Sequence, residues 1–274
     1  MSADFLAQMA ASSRARLEEA RAKVPERALR ARAAEQPSPP PLRLDAGGFD
    51  IIAEIKFRSP AAGQLRGSDG SVAARAAAYA SAGAAAVSVL TEPARFDGSL
   101  AHLAQAAEAL AASSVPAMRK DFLVDPYQVL EARAAGAGGV LVILRMLSPG
   151  QIDDLIGEAQ AQGLFVLLEA FDETDIELMH KIVRRHAGAT MLLAGLNSRD
   201  LATLQVVPQR LERIADLLPK DAIRVAESGV ETPEDARRLA SAGYRMALVG
   251  SALMRAVDPA AAIGALLAAG RSHG

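Results

Sequence analysis

From Phe49 onward the chain repeats one pattern: a short aliphatic or β-branched run, a polar or glycine-containing loop, then a helical segment. Eight runs follow it: FDIIAEIK (49–56), AAVSVL (85–90), VPAMRK (115–120), GVLVILR (139–145), LFVLLEA (164–170), MLLAGL (191–196), AIRVAES (222–228) and RMALVGS (245–251). They recur at the length of a βα unit. Open doubly wound sheets usually stop at five or six strands, so eight consecutive units predict an α/β fold closed into a (β/α)8 barrel. About half of the 274 residues are hydrophobic, yet aromatics make up 4% and Trp is absent. The core must therefore be Ala, Val, Leu and Ile, which suits parallel strands buried on both faces.

Helix punctuation agrees with this division. Asp125-Pro126 reads as N-cap and first-turn proline, with Gln128 as the reciprocal capping partner and Gly136 as the stop. Thr232-Pro233-Glu234 and Asp258-Pro259 repeat the device, and Gly83, Gly163, Gly243 and Gly270 suit left-handed helix ends. Ahead of the barrel, Leu6, Met9, Leu17, Ala20 and Val24 step by threes and fours with a gap at Ser13, predicting an amphipathic helix. Pro37, Pro39, Pro40 and Pro41 then impose an extended linker. The expected organisation is an N-terminal helical extension over 1–48 packing on a catalytic barrel over 49–274.

Lys plus Arg number 30 against 32 Asp plus Glu, so no general footprint for nucleic acid or an anionic membrane exists. The absence of Cys removes disulfides, thiolate metal sites and cysteine nucleophiles. No apolar run of about 18 residues predicts a membrane span, and the N-terminus lacks the basic-then-apolar order of a signal peptide. A cytoplasmic location is expected. His102, His180, His186 and His273 show no ligand spacing, so no metal is expected. Gly136, Gly138 and Gly139 precede a strand instead of following one, which leaves a dinucleotide fingerprint unsupported.

Barrel active sites lie at the C-terminal strand ends. Charged residues accumulate there: Glu54 and Lys56, Glu92, Lys120, Glu169, then Asn197, then Glu227 with Ser228. Glu54 and Lys56 share parity and face one side of the first strand. Inward charges cost several kcal/mol each unless they pair or bind something. Mixed Lys and Glu in one desolvated mouth tune each other toward proton transfer at neutral pH; an internal salt-bridge network holding the barrel top is the alternative. Gly229, Gly250 and Ser251 sit in the last two strand-end loops, where this fold recurrently binds phosphate. Arg58-Ser59-Pro60 through Gly63 reads as a loop over the mouth or as an ordinary surface turn, and Asp121-Phe122 as a positioner of Lys120 with a ring for an aromatic ligand, with plain core as the alternative for Phe122.

With these residues in view, AEIKFRSPAAG, SVLTE with FDGS, RKDFLVDPYQVLEARAAGA, LLEAFDE, GLNSRDL, AESGVETPED and LVGSALM appear in the order of one family. The chain resembles the indole-3-glycerol phosphate synthases of tryptophan biosynthesis, from its N-terminal helix to near its C-terminus. The resemblance implies ring closure of a carboxyphenylamino-deoxyribulose phosphate with loss of carbon dioxide and water, without metal or organic cofactor. It implies Lys120 as general acid at the ketone oxygen and Glu169 as general base in the dehydration. Lys56 would lie near the substrate carboxylate and phosphate with Glu54 beside it. Asn197, Glu227 and Ser228 would orient substrate, and Gly229, Gly250 and Ser251 would bind phosphate. Ser59, Phe122 and Arg199 fall in matching motifs as further substrate contacts. The partner implied is a phosphorylated small molecule, and the expected state is a monomer, with a homodimer as the alternative. Ala61 and Ala170-Phe171 depart from the family pattern, which often has a serine and Val-His there.

A neighbouring barrel, the isomerase that makes this substrate from phosphoribosylanthranilate, would be expected to carry a cysteine base, and none is present. A catalytically silent anion-binding barrel is disfavoured by the two lysines and three carboxylates.

Overall fold

Each of the eight runs forms one parallel strand in the computed structural model, which describes residues 2–59, 63–64, 71–207 and 209–272. The strands are β1 (Asp50–Ile55), β2 (Ala86–Leu90), β3 (Ala117–Lys120), β4 (Gly139–Ile143), β5 (Phe165–Ala170), β6 (Leu192–Asn197), β7 (Ile223–Glu227) and β8 (Met246–Val249). They pair in sequence order, and β8 returns to β1 with Asp50 opposite Met246, closing the barrel. Alternation does the sorting. Ile52, Met118, Leu167 and Val225 fill the interior, while Ile51, Val87, Val89, Val140 and Val142 meet the surrounding helices.

Those helices are α1 (Ser2–Lys23), α2 (Glu26–Glu35), α3 (Val72–Ser81), α4 (Pro93–Phe96), α5 (Leu100–Leu110), α6 (Pro126–Ala134), α7 (Pro149–Ala161), α8 (Glu173–Arg185), α9 (Arg210–Arg213), α10 (Pro233–Ser241), α11 (Ser251–Arg255) and α12 (Pro259–Arg271). Gly83, Gly136, Gly163 and Gly243 adopt φ of 95°, 84°, 70° and 87°, as the expected stops require. Gly270 differs: it lies inside α12, where a Cβ would sit 2.2 Å from the Phe49 ring, so it is small for packing. Asp125 caps α6 through the Tyr127 amide, but Gln128 reaches one residue further back, accepting from Val124 N at 2.8 Å. After β6 the helical layer shrinks to the single turn of α9 and a 3₁₀ turn at Ala215–Leu217.

The N-terminal stripe folds as expected, with Leu6, Met9 and Leu17 buried. Its gap is filled by chemistry: Ser13 is buried and its hydroxyl meets Gln128 Nε2 at 2.8 Å. The Tyr127 hydroxyl shares its proton between the carbonyls of Ala20 and Val24, the open end of α1. Helix α2 lies in the charged stretch before the prolines, beyond the amphipathic stripe of Leu6 to Val24. It forms because Leu29 and Ala33, four apart, bury against the barrel and α2 packs on α6. No helix among the described residues is long and apolar enough to cross a membrane.

Candidate functional site

Barrels of this kind fill their interior in layers of four side chains taken from alternate strands. Two residues beyond the apolar layer of Ile52, Met118, Leu167 and Val225, the odd-numbered strands contribute Glu54, Lys120, Glu169 and Glu227. The layer that should be the next tier of core is therefore ionic. All three carboxylates are buried. Lys120 Nζ lies 3.3 Å from Glu169 Oε1 and 3.4 Å from Glu227 Oε2. Asn197 Nδ2 donates to the same Glu169 oxygen at 2.7 Å, and its Oδ1 accepts from Arg199 N at 2.9 Å. Lys56, just past the end of β1, donates to Glu54 Oε1 at 2.6 Å.

Burial alone would lower the Lys120 pKa, but the negative charges of Glu169, Glu227 and Glu54 outweigh it and hold the ammonium above the ordinary lysine range. Glu227 moves the other way. Burial and then the Glu169 charge raise its carboxyl well above the usual carboxylate range, with Lys120 only partly opposing them. Its Oε1 is buried without a hydrogen-bond partner and tucks against the bare Cα of Gly195, where a Cβ would come within 2.3 Å. The site thus holds one cationic acid, a carboxylate fixed by Asn197, and a carboxyl biased toward its protonated form.

Backbone geometry builds the rim. Ser228 and Gly229 both take left-handed conformations, φ 67° and 76°, turning the chain sharply after Glu227. Ser198 fastens this turn, its Oγ donating to Ser228 O at 3.0 Å and its amide to Glu227 O at 2.9 Å. Gly250 precedes α11, whose first amides have no intrahelical acceptors. A Cβ on Gly250 would lie 2.2 Å from Glu54 Oε1 and 2.9 Å from Lys56 Nζ. Gly250→Ala is accordingly expected to displace that ion pair and lower kcat/KM about tenfold or more, read by steady-state kinetics beside an unchanged circular-dichroism spectrum.

One cavity takes in Glu54, Lys56, Lys120, Phe122, Glu169, Asn197, Arg199, Glu227, Ser228, Gly229, Gly250 and Ser251. Phe5 and Leu6 of α1 complete its wall beside Phe96, Phe171 and Leu201.

The family model for indole-3-glycerol phosphate synthase matches residues 6–266. The chain belongs to the indole-3-glycerol phosphate synthase family. Relatives bearing that name include those of Opitutus terrae, 40% identical over 84% of this chain and 86% of the relative, and Desulfosudis oleivorans, 39% identical over 93% and 95%. Among solved structures, thiamine phosphate pyrophosphorylase from Pyrococcus furiosus shares the fold with a TM-score of 0.56 at 17% identity, covering 82% of this chain and 96% of that one. A native KDPGal structure does so with 0.53 at 22% identity, covering 81% and 94%.

The motifs expected of an indole-3-glycerol phosphate synthase thus converge, with two qualifications. Glu92 leaves the cavity: it caps α4, accepting from the amides of Ala94 and Arg95 at 3.0 and 2.7 Å. Its position before Pro93 signalled this. Ser59 lies in a two-residue ribbon, Arg58–Ser59 with Gly63–Gln64; its side chain, Pro60, Ala61 and His273 lie outside the described residues. Phe171 supplies a cavity wall on which the Arg145 guanidinium stacks at 5.1 Å. Arg119 and Arg16 lie outside the residues that the strand ends single out; Arg119, at the outward-facing position of β3, meets a buried partner in Asp121, which Arg16 also binds.

The raised carboxyl makes a stability prediction. Glu227 keeps its proton in the folded protein at pH values where the unfolded chain has lost it, so rising pH favours the unfolded chain and the stability falls from the unfolded pKa up to the folded one. The stability of Glu227→Gln relative to wild type is expected to increase between pH 5 and pH 8 in urea titrations, while turnover falls.

Proposed function

We propose that this chain converts 1-(2-carboxyphenylamino)-1-deoxy-D-ribulose 5-phosphate to indole-3-glycerol phosphate, with the chemistry carried by Lys120 and Glu169. Lys120 donates a proton to the ketone oxygen as the aromatic carbon bearing the carboxylate attacks the ketone carbon. Carbon dioxide then leaves that ring carbon. In the last step Lys120, reprotonated from solvent, gives a second proton to the new hydroxyl, which departs as water, and Glu169 takes the ring proton whose loss completes the indole. The observation that carries this reading is the Lys120 ammonium suspended between Glu169 and Glu227, at the mouth of a cavity walled by aromatic side chains.

The remaining roles follow from position. Lys56, steadied by Glu54, faces the substrate carboxylate and phosphate. Gly229, Gly250 and Ser251 present backbone amides to the phosphate, in the two loops where the fold recurrently holds one. Asn197 aligns Glu169, Glu227 and Ser228 orient substrate, and Phe122 offers a ring face. Arg199 and Ser59 are further substrate contacts. Residues 1–48 cover the barrel 49–274 and close one side of the site. The protein works as a cytoplasmic monomer.

Product analysis separates this from the neighbouring isomerase. Offered the carboxyphenylamino substrate and phosphoribosylanthranilate separately, the protein is expected to release carbon dioxide and an indole from the first and leave the second unchanged. Consumption of the second alone would overturn the reading.

A further inference from the structure

Asp121 stands between Lys120 and Phe122 and lines the cavity with them, while its carboxylate is directed at Thr91, Arg119 and Arg16. Its carboxylate is fully buried and accepts five hydrogen bonds. Thr91 Oγ1 donates at 2.7 Å, Phe122 N at 2.8 Å and Arg119 Nη2 at 3.1 Å. The other two come from Arg16 on α1, whose Nη2 and Nη1 grip both carboxylate oxygens at 2.8 and 3.0 Å. Arg119 is itself committed elsewhere, to Glu131 and to the carbonyl of Gln128. Arg16 Nε is buried without a partner, and the two guanidinium bonds described both go to Asp121.

We propose that Arg16 is a positioning residue for the ring-closing reaction: through its two-pronged bond to Asp121, the N-terminal helix fixes the strand end that carries Lys120. The inference rests on the role given to Lys120 above. Helix α1 does not depend on this bond for its seat. Leu6, Met9 and Leu17 are buried, Ser13 meets Gln128, the Tyr127 hydroxyl reaches two carbonyls of α1, and Arg21 pairs with Asp125 at 2.7 Å. Of these α1 contacts, the one to Asp121, between the acid and the ring, is made by Arg16. Without it, Asp121 Oδ1 keeps only the Phe122 amide among these donors. Held then chiefly through Oδ2 by Thr91 and Arg119, Asp121 can pivot about that oxygen and carry Lys120 out of line with the ketone oxygen, and errors of about an ångström are costly to proton transfer.

The test compares two arginines of one helix in the full chain. Arg16→Ala is expected to lower kcat about 10- to 100-fold while KM stays within about threefold, because protonation follows binding. Arg21→Ala removes a pair from the same helix four residues from Asp121 and is expected to leave kcat within about twofold, since that pair is half exposed. Arg16→Lys keeps the charge without the fork, and should fall between wild type and Arg16→Ala. If Arg16→Ala does not fold, the lysine variant carries the test alone: lowered kcat at unchanged thermal midpoint supports the proposal, and wild-type kcat overturns it. Equal kcat losses in Arg16→Ala and Arg21→Ala would also overturn it, showing that only helix docking matters. A wild-type protein that makes no indole would fail the reaction assignment; wild-type turnover with an unaffected Arg16→Ala would fail this proposal only.

Discussion

Lys120→Ala is expected to reduce kcat by about 100- to 10,000-fold, the range for removal of a general acid, and to destabilise the protein at neutral pH. The second effect follows from the ionic layer. Lys120 is the cation that Glu169 and Glu227 share at 3.3 and 3.4 Å, and deleting one partner of a buried charge cluster costs about 3 to 5 kcal/mol. Its pH dependence has a definite sign. Stripped of the ammonium, Glu227 loses the positive charge that opposes burial and the Glu169 charge, so its carboxyl is pushed further up in the folded state, while in the unfolded chain it ionises near the ordinary value of about 4.3. The variant therefore loses most stability at high pH and recovers toward wild type as pH falls through the raised Glu227 pKa. Urea denaturation of both proteins at pH 5 and pH 8, with kcat measured alongside, checks both halves. A stability deficit independent of pH would show that Lys120 acts by packing and not by charge.

Glu169→Gln is expected to lower kcat by about 100-fold or more and to leave KM within about threefold. This substitution is unusually clean here. The Lys120 ammonium and the Asn197 amide both donate to one oxygen, Glu169 Oε1, and the carbonyl of a glutamine amide can accept from both. Shape, burial and these contacts persist, and what disappears is the ability to take a proton. Binding should survive and the dehydration should not, so intermediates preceding loss of water are expected to accumulate in rapid-quench experiments. A variant that turns over near the wild-type rate would remove Glu169 from the base role.

The sequence carried the barrel because its evidence is local: alternation in each run, proline and glycine at helix ends, and a repeat length that leaves little choice of topology. Glu54, Lys56, Lys120, Glu169, Asn197 and Glu227 could be singled out for a related reason, since polar residues finishing apolar runs conflict with a dry core. Local reading failed where partners are distant in the chain. Ser13 appeared as a flaw in the α1 stripe, but Gln128, 115 positions away, satisfies it. Glu92 had the same signature as the site carboxylates, and only the amides of the following turn reveal it as a cap. Gly270 resembled the other helix stops until the Phe49 ring was seen to occupy its Cβ position. The Arg16–Asp121–Arg119 chain joins elements separated by 105 residues, and no periodicity reports such a pairing.

Fluorescence reports directly on whether the ionic layer closes an indole ring. Purified protein given the carboxyphenylamino-deoxyribulose phosphate is expected to generate indole fluorescence with one carbon dioxide released per indole, at a rate at least about 100-fold above Lys120→Ala. An indole signal no greater than that of the Lys120→Ala control would contradict it.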